Sequence, residues 1–305
     1  MDQLEFAVRR LREQLPALTI LEHEPMNRHC SFRIGGPVRA LVQPASAEEA
    51  AAVCRALRAA AVTPLILGNG TNLLVTDAPL SRVAVQFGEQ MAAVERTGPD
   101  TLRAQCGVTL TRLAREAQQL GLGGMEFAHG IPGSLGGGVS MNAGAYGGEM
   151  KDIVVSTRYL DGALELSEAV GAAHDFSYRR SRFSDTDDVI LDSTLRFTPG
   201  DPETIHARMA ELREKRRASQ PLELPSAGST FKRPAGGYAA ALIEQAGLKG
   251  FAIGGAQVSE KHAGFVVNRG GATFDDVLRL IDHIRETVYR ASGIELETEV
   301  KIIRD

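Results

Sequence analysis

The residues best suited to chemistry in this chain are glycines, which are concentrated in residues 129–150. The run HGIPGSLGGGVSMNAGAYGGEM holds eight glycines, one proline and neither lysine nor arginine. It is too rich in glycine for a helix interior and too long for a simple turn. Without Cβ atoms, successive backbone N–H groups can turn inward and cradle a phosphate or pyrophosphate without a cationic side chain. The run therefore indicates a cofactor phosphate site, and a tight glycine-rich connection between strands explains the composition equally well.

A second glycine loop offers the same chemistry. Residues 63–67 have the pattern of a buried strand, which runs into the loop GNGTN at residues 68–72, after which a strand resumes. This loop and residues 130–138 both follow strand patterns, so their backbone donors can converge on phosphates. No G-x-G-x-x-G, G-x-x-x-x-G-K-[ST], zinc-binding or G-x-S-x-G motif occurs. The motifs give no support to Rossmann, P-loop, metalloprotease or hydrolase chemistry, and they predict no metal site.

The elements that position these loops alternate between helix and strand patterns. Helical spacing of apolar residues predicts an amphipathic helix in the first 15 residues, a helix that Ser46 caps, and another at residues 110–120. Residues 31–42 predict a strand, a turn and a second strand, and Asp161-Gly162 is a hairpin signal. These patterns predict antiparallel α+β structure up to about residue 200.

A change of composition at residues 198–202 predicts a domain boundary, where Asp201 can cap a helix that Pro202 begins. Beyond it we expect two further helices around a strand at residues 264–268, the second capped by Thr273 and stopped by Gly293. Residues 294–305 alternate between apolar and charged side chains, which predicts a final strand with one polar face.

Length and composition limit the class of protein. The 305 residues, 43% hydrophobic and 24% charged, suggest about two domains. A net charge of −4 argues against nucleic acid or an anionic membrane as partner. No apolar run approaches the ~18 residues of a membrane span. The three cysteines are widely separated, which fits a reducing compartment. We expect a monomeric cytoplasmic protein with a small-molecule ligand.

Six blocks occur in a fixed order between about Ser31 and Val300: SFRIGGP, LGNGTNLLV, EFAHGIPGSLGGGVSMNAGAYGGE, FSYRRS, QPLELPSAGSTFKRP and LETEV. Together they are far more specific than any one glycine motif. This order resembles the UDP-N-acetylenolpyruvoylglucosamine reductase family of peptidoglycan synthesis, in its shorter type II form.

The resemblance implies an α+β fold with two domains. An FAD-binding domain of the vanillyl-alcohol-oxidase/PCMH type, with two subdomains, would cover residues 1–200. A smaller α/β substrate-binding domain would cover residues 201–293, and residues 294–305 would form a strand that returns to the FAD domain and the active site. The residues matched to noncovalent FAD binding are Gly68, Asn69, Gly70, Thr71, Asn72, Ile131, Pro132, Gly133, Ser134, Gly136, Gly137, Met141, Asn142, Ala143 and Gly144.

The activity implied by the resemblance is reduction of UDP-N-acetylglucosamine enolpyruvate to UDP-N-acetylmuramate, with NADPH as co-substrate. NADPH would reduce FAD, and a hydride would then pass from flavin N5 to C3 of the enolpyruvyl group. Arg179 and Glu299 match the residues that stabilise the resulting enolate-like charge, and Ser229 matches the proton donor to C2. Taken without the resemblance, the three are more readily explained as a surface arginine, a turn serine and a solvated strand carboxylate.

Substrate contacts are expected from Tyr178, Lys232 and Arg233, the last two as cations near the UDP phosphates. This chain departs from the family pattern in four places. Arg233 stands where the family often has asparagine, and Ala240-Ala241 replaces a frequent Gly-Lys pair. Thr71 replaces a usual serine, and His129 precedes GIPG where a small residue is more usual. Two other functions remain open: a flavoprotein oxidase of the same fold that uses O2, and a noncatalytic nucleotide-sugar-binding protein.

Overall fold

Helices and short strands alternate along residues 2–305, which are the residues that this computed structural model describes. The helices are α1 (Gln3–Gln14), α2 (Ala47–Ala59), α3 (Leu110–Gln119), α4 (Leu135–Ser140), α5 (Pro202–Ser219), α6 (Ala239–Gln245) and α7 (Phe274–Ser292). The strands are β1 (Thr19–Glu22), β2 (Val38–Gln43), β3 (Leu65–Leu67), β4 (Leu73–Val75), β5 (Leu80–Gln86), β6 (Val94–Arg96), β7 (Thr101–Gln105), β8 (Leu122–Gly123), β9 (Gly144–Ala145), β10 (Gly148–Glu149), β11 (Val154–Leu160), β12 (Leu166–Val170), β13 (Val189–Arg196), β14 (Thr198–Pro199), β15 (Ser226–Ser229), β16 (Ala252–Ile253), β17 (Ala256–Val258), β18 (Phe265–Asn268) and β19 (Lys301–Ile303). None of the helices in residues 2–305 has both the length and the apolar composition needed to cross a membrane. The predicted α+β class is confirmed.

The chain folds into two compact units that interleave along the sequence. The first unit contains the chain up to Glu22, then Arg39–Asn69 and Arg82–Lys215. The second contains His23–Val38, Gly70–Ser81 and Arg216–Asp305. Each unit has its own cluster of buried apolar side chains, as expected for two separate cores.

The first unit is organised by two sheets. One has the strand order β1-β2-β5-β3, and the other is antiparallel with the order β12-β11-β13-β7-β6. Helix α3 buries Leu110, Leu113 and Ala117, which is the face that its sequence period predicts. Helix α4 contacts β7 and β13, so the glycine-rich stretch is anchored on the larger sheet.

The second unit contains an antiparallel sheet with the order β15-β18-β17-β16. Helix α7 packs on this sheet and begins with the predicted capping box, in which the Thr273 hydroxyl accepts from the Asp276 backbone N–H at 3.1 Å. It ends at Gly293, whose φ of +69° is left-handed. Its buried face carries Val277, Ile281, Ile284 and Val288, as the helical spacing predicts.

The division into units differs from the expected boundary at residue 201. Ile205 and Met209 of α5 belong to the first core, because their side chains are buried there. The first unit therefore continues to Lys215, inside α5. At the other end of the chain, β19 pairs in parallel with β4, and both strands belong to the second unit.

Two predicted strands are shorter in the structure. Residues 31–34 form no strand, and Arg33 has a φ of +56°, so only β2 remains of the expected pair. In residues 294–305 the strand is limited to Lys301–Ile303, and Ile302, which lies on the predicted apolar face, is 36% exposed. Most of the backbone in these two segments is irregular, and a period of two residues in the sequence does not predict irregular structure.

The glycine-rich stretch contains a helix, contrary to the prediction. Helix α4 holds Gly136, Gly137 and Gly138 despite the low helix propensity of glycine. A Cβ on Gly136 would lie 3.0 Å from the Cys106 Cβ, so the tight packing of α4 against the residue after β7 favours glycine at this position. The backbone N–H groups of Leu135 and Gly136 donate at 2.8 Å to the carbonyls of Val108 and Cys106. Tertiary packing thus outweighs local propensity here.

His174 is fully buried in the first unit and must be neutral there. Its Nδ1 lies 2.9 Å from the Gly171 carbonyl oxygen, which can only accept, so Nδ1 carries the proton. Its Nε2 lies 2.9 Å from the Thr157 hydroxyl, which donates to it. Burial lowers the pKa of His174 below its ordinary value.

We expect the free energy of unfolding to fall as the pH drops below the unfolded-state pKa of histidine, ~6.5. The pKa of His174 is lower in the folded protein than in the unfolded chain, so protons bind the unfolded chain preferentially. His174 therefore gives its full stabilisation above the unfolded-state pKa, and this stabilisation is lost as the pH falls below it. Urea unfolding at pH 8 and at pH 5.5 measures this. His174→Gln should reduce the difference between the two conditions, and an unchanged difference would show that other groups cause it.

Candidate active site

The two glycine loops adjoin in the first unit. A Cβ on Gly68 would lie 2.1 Å from the Ser134 Oγ, so the backbone at residue 68 sits directly against the second loop. The Asn69 side chain donates from Nδ2 to the Pro132 carbonyl at 2.9 Å. Ser134 is buried, and Pro132 is exposed. The two loops that the sequence marked as phosphate sites are therefore fixed to each other.

These loops suit the pyrophosphate of FAD. Residues 68–72 and 130–137 contain neither aspartate nor glutamate, so no carboxylate of the loops repels an anion. A Cβ on Gly68 would clash with the Ser134 Oγ, so the close approach of the two loops favours glycine at this position. Gly133 and Gly137 are accessible from solvent. The residues present fit the cofactor that the sequence predicted.

The first loop continues into the second unit. Gly70 has a φ of +59°, and its carbonyl accepts from the Ser31 backbone N–H at 3.1 Å. The Asn72 side chain donates from Nδ2 to the Glu299 carbonyl at 3.1 Å, and the Asn72 carbonyl accepts from the Lys301 N–H at 3.0 Å. Asn72, the last residue of the loop, is thus hydrogen-bonded to the backbone of Glu299, the predicted catalytic residue, within the second unit.

We expect Gly70→Ala to destabilise the protein and to lower its FAD content. A Cβ at this position would lie 1.9 Å from the His29 carbonyl oxygen, and the left-handed backbone alone costs about 1 kcal/mol for alanine. Thermal unfolding and the ratio of flavin to protein absorbance measure the two effects. Gly162→Ala is the control, since a Cβ there meets no atom within 4 Å. Equal melting temperatures for the two variants would contradict this account of residue 70.

Backbone hydrogen bonds bring Ser229 and Glu299 together in the second unit. The Glu299 N–H donates to the carbonyl of Thr230, the residue after Ser229, at 2.9 Å. The pairing continues where the Lys232 N–H donates to the Glu297 carbonyl at 2.9 Å. Ser229 and Glu299 are both partly exposed. Two of the three predicted catalytic residues therefore occupy adjacent segments of one unit.

Arg179, the third, lies in the first unit on a tight turn. Ser177 and Arg180 pair across the turn, with N–H to carbonyl distances of 2.9 and 3.3 Å. Arg179 has a φ of +55°, which a residue with a side chain adopts at an energetic cost. Its Nη2 donates to the Gly144 carbonyl at 3.0 Å, at the end of the glycine-rich stretch. The guanidinium carbon is 5.0 Å from the centre of the Tyr178 ring, which is 48% exposed.

The last part of the glycine-rich stretch differs in accessibility from residue to residue. Asn142 and Ala143 are buried, whereas Met141 and Gly144 are partly exposed. The Asn142 amide is bonded to three groups of the first unit. Met141 and Gly144 are therefore the residues of this segment that are accessible from solvent.

The predicted phosphate cations have partners within the second unit. Lys232 forms an ion pair with Glu297, and the Arg233 guanidinium lies 3.9 Å from the centre of the Tyr238 ring. Sequence reasoning missed Glu297 and Tyr238, because their pairing depends on how the loop folds. Ala241, in place of the usual lysine, is exposed. A nucleotide phosphate near Lys232 would have to compete with the Glu297 carboxylate.

His129 turns toward α5 of the same unit. Burial first, and then the positive charge of Arg213, lower the pKa of His129 below its ordinary value. Its imidazole is therefore neutral at pH 7. Within residues 2–305, no group of three histidine, cysteine or acidic side chains has the geometry to hold a metal ion.

Comparison with known proteins identifies both parts of the chain. The profile of an FAD binding domain matches residues 38–166, and that of the UDP-N-acetylenolpyruvoylglucosamine reductase C-terminal domain matches residues 220–303. The UDP-N-acetylenolpyruvoylglucosamine reductase of Caldanaerobacter subterraneus is 45% identical over 98% of this chain and 98% of its own. That of Agathobacter rectalis is 43% identical over 97% of this chain and 98% of its own.

A solved structure agrees with these relatives. The crystal structure of UDP-N-acetylenolpyruvylglucosamine reductase from Thermus caldophilus matches with a TM-score of 0.80 and 30% identity, covering 94% of this chain and 99% of that one. The similarity thus extends through both units and confirms the resemblance seen in the six sequence blocks. The chain is an FAD-dependent oxidoreductase, and it belongs to the UDP-N-acetylenolpyruvoylglucosamine reductase family.

Proposed function

We propose that the chain reduces UDP-N-acetylglucosamine enolpyruvate to UDP-N-acetylmuramate with NADPH as the reductant. The observation that supports this proposal is the backbone pairing, within the second unit, of the segments that carry Ser229 and Glu299, the residues matched to the proton donor and the catalytic carboxyl group. FAD held by the two glycine loops would supply hydride transfer from NADPH to C3 of the enolpyruvyl group. The side chains of this protein must then manage the negative charge and the proton at C2.

Arg179 is proposed to stabilise the charge. Addition at C3 places negative charge on C2 and the attached carboxylate, where a fixed cation with several N–H donors lowers the barrier. The turn and the hydrogen bond to Gly144 limit the freedom of Arg179. A guanidinium held in this way needs little reorganisation when the charge develops.

Ser229 is proposed to donate the proton to C2. A serine hydroxyl is a weak acid, so it protonates only a strongly basic centre such as this enolate. Gly228, with a φ of +76°, turns the backbone just before Ser229. Glu299 is proposed to help stabilise the charge at the substrate carboxylate. The Ser229 oxygen regains a proton from solvent before the next turnover.

The glycine loops at residues 68–72 and 130–137 are proposed to hold the FAD pyrophosphate, with Met141 and Gly144 near the flavin ring. Tyr178, Lys232 and Arg233 are proposed to bind the substrate. We also propose that the protein acts as a monomer in the cytoplasm, where its product supports cell wall synthesis, cell shape and cell division. The three free, buried cysteines support a reducing compartment.

Stopped-flow absorbance of the FAD-loaded protein tests this function. NADPH should bleach the visible flavin band, and the enolpyruvyl sugar nucleotide should restore it under anaerobic conditions. Rapid recovery with O2 instead of the sugar nucleotide would identify an oxidase. Absence of bleaching in a protein that retains FAD would leave only a binding function. Flavin that stays with an acid-precipitated pellet would contradict noncovalent binding.

A further inference from the structure

Asn142 forms a hydrogen-bonded junction below the surface of the first unit. Its side chain is fully buried and its φ is +44°. From Nδ2 it donates to the Glu149 carboxylate at 2.7 Å and to the Ser177 carbonyl at 3.0 Å. Its Oδ1 accepts from the Lys151 backbone N–H at 3.0 Å. Both N–H groups and the carbonyl oxygen of the amide are thus used inside the chain.

The orientation of this amide is fixed by the chemistry of its partners. A carbonyl oxygen can only accept a hydrogen bond, and a backbone N–H can only donate one. Burial opposes ionisation of Glu149, but the lysine and amide hydrogen bonds outweigh it and lower its pKa, so the carboxylate is charged and accepts. Exchanging the amide oxygen and nitrogen would therefore place like groups against each other at all three contacts.

The hydrogen bonds of Asn142 are connected to Arg179 through the turn at residues 177–180. Ser177, whose carbonyl bonds to Asn142, is the first residue of the turn, and Arg179 is the third. The Arg179 guanidinium bonds in turn to Gly144, two residues after Asn142. The turn is thus attached to the glycine-rich stretch at two points, one through its backbone and one through the guanidinium.

This attachment matters because the turn is strained. A non-glycine residue at a φ of +55° is higher in energy than in its preferred regions, so the turn needs outside contacts to persist. The Lys151 ammonium lies 3.0 Å from the Glu149 carboxylate. This ion pair helps to fix the carboxylate that accepts the hydrogen bond from the Asn142 amide. Released from Asn142, the turn is free to relax and to shift the guanidinium.

We propose that Asn142 is a positioning residue that sets Arg179 for the reaction, rather than a contact to FAD. This inference rests on the proposed function of Arg179. A residue without accessible surface cannot touch a ligand unless the chain rearranges. A displacement of about 1 Å in a positioned group lowers a rate by roughly 10²-fold, so loss of the junction should slow turnover by 10-fold to 100-fold.

Two substitutions test the hydrogen bonds of the Asn142 side chain separately from the left-handed backbone conformation of this residue. Asn142→Gly keeps the left-handed backbone at low cost and removes all three hydrogen bonds. Asn142→Asp keeps the size and places a second carboxylate against Glu149 and Ser177. In both, we expect kcat for the enolpyruvyl substrate to fall while FAD content and reduction by NADPH stay near wild type. Hydrogen–deuterium exchange over residues 176–182 should become faster, which reports the turn independently of activity.

Ser46→Ala is the matched control. It removes the cap of α2, where the Ser46 hydroxyl accepts from the Glu49 backbone N–H at 3.1 Å in the same unit, so it lowers stability without touching the junction. It should keep wild-type kcat and wild-type exchange over residues 176–182. Wild-type turnover and exchange in Asn142→Gly would overturn the inference, and so would loss of FAD as the primary defect. If the wild-type protein lacks the proposed activity, the function fails, and the exchange data still decide whether Asn142 holds the turn.

Discussion

Ser229→Ala is expected to lower turnover of the enolpyruvyl sugar nucleotide by about 10²-fold to 10⁴-fold, the usual range for loss of a general acid. Bleaching of the flavin by NADPH should proceed at the wild-type rate, because that step needs no proton at C2. The defect should therefore appear only when substrate is added to reduced protein. Single-turnover absorbance measurements of the two half-reactions separate these effects.

The control for this substitution is on the same strand. Ser226→Ala removes a hydroxyl three residues earlier on β15, and we expect it to keep near-wild-type turnover. Ser229→Cys should recover part of the loss, since a thiol is the stronger acid and fits the same position. If Ser229→Ala turned over as fast as the wild type, the proton would have to come from another donor or from water.

Arg179→Ala is expected to lower turnover by about 10²-fold to 10³-fold, the range for loss of one group that stabilises transition-state charge. Arg179→Lys should recover only part of this rate. A lysine keeps the charge, but it lacks the planar fork that can bond Gly144 and a substrate carboxylate together. Steady-state kinetics of the two variants measure the effect, and Arg180→Ala is the neighbouring arginine control.

Replacing Arg179 by glycine is expected to raise the stability of the protein although it lowers the activity. Arg179→Gly should remove the strain of a φ of +55° and raise the free energy of unfolding by about 1 kcal/mol while abolishing the charge that the reaction needs. Asp185→Gly, at a φ of +60°, should give a similar stabilisation with turnover unchanged. A melting temperature of Arg179→Gly below that of the wild type would show that the side-chain contacts outweigh the strain.

Elements with a regular period were predictable from the sequence. Helix α7 is an example: its capping residues, apolar face and terminal glycine all act within the helix, so local pattern suffices to define it. The final strand was only partly predictable. Its alternation suggested a strand over residues 294–305, but the strand is limited to Lys301–Ile303, where β4 is available as a partner.

Of the candidate site, the phosphate loops were recognisable because glycine density is itself a local signal. The contacts of Gly68 with Ser134 and of Asn69 with Pro132 could not be predicted, because the residues of each pair are more than sixty positions apart.

The role of Asn142 was also beyond the reach of the sequence, which assigned this residue to the cofactor. Only the structure shows that its amide is buried and bonded to the segments of Glu149, Lys151 and Ser177.

The sequence by itself determined the residue types of the site, the order of the six family blocks and the helices whose periodicity is strong. The tertiary structure decided which segments belong to which unit, why a glycine-rich segment is helical, and what holds the turn of Arg179. The physical reason is one of range. Propensity and period act over a few residues, whereas hydrogen bonds between irregular segments depend on where the whole chain brings them.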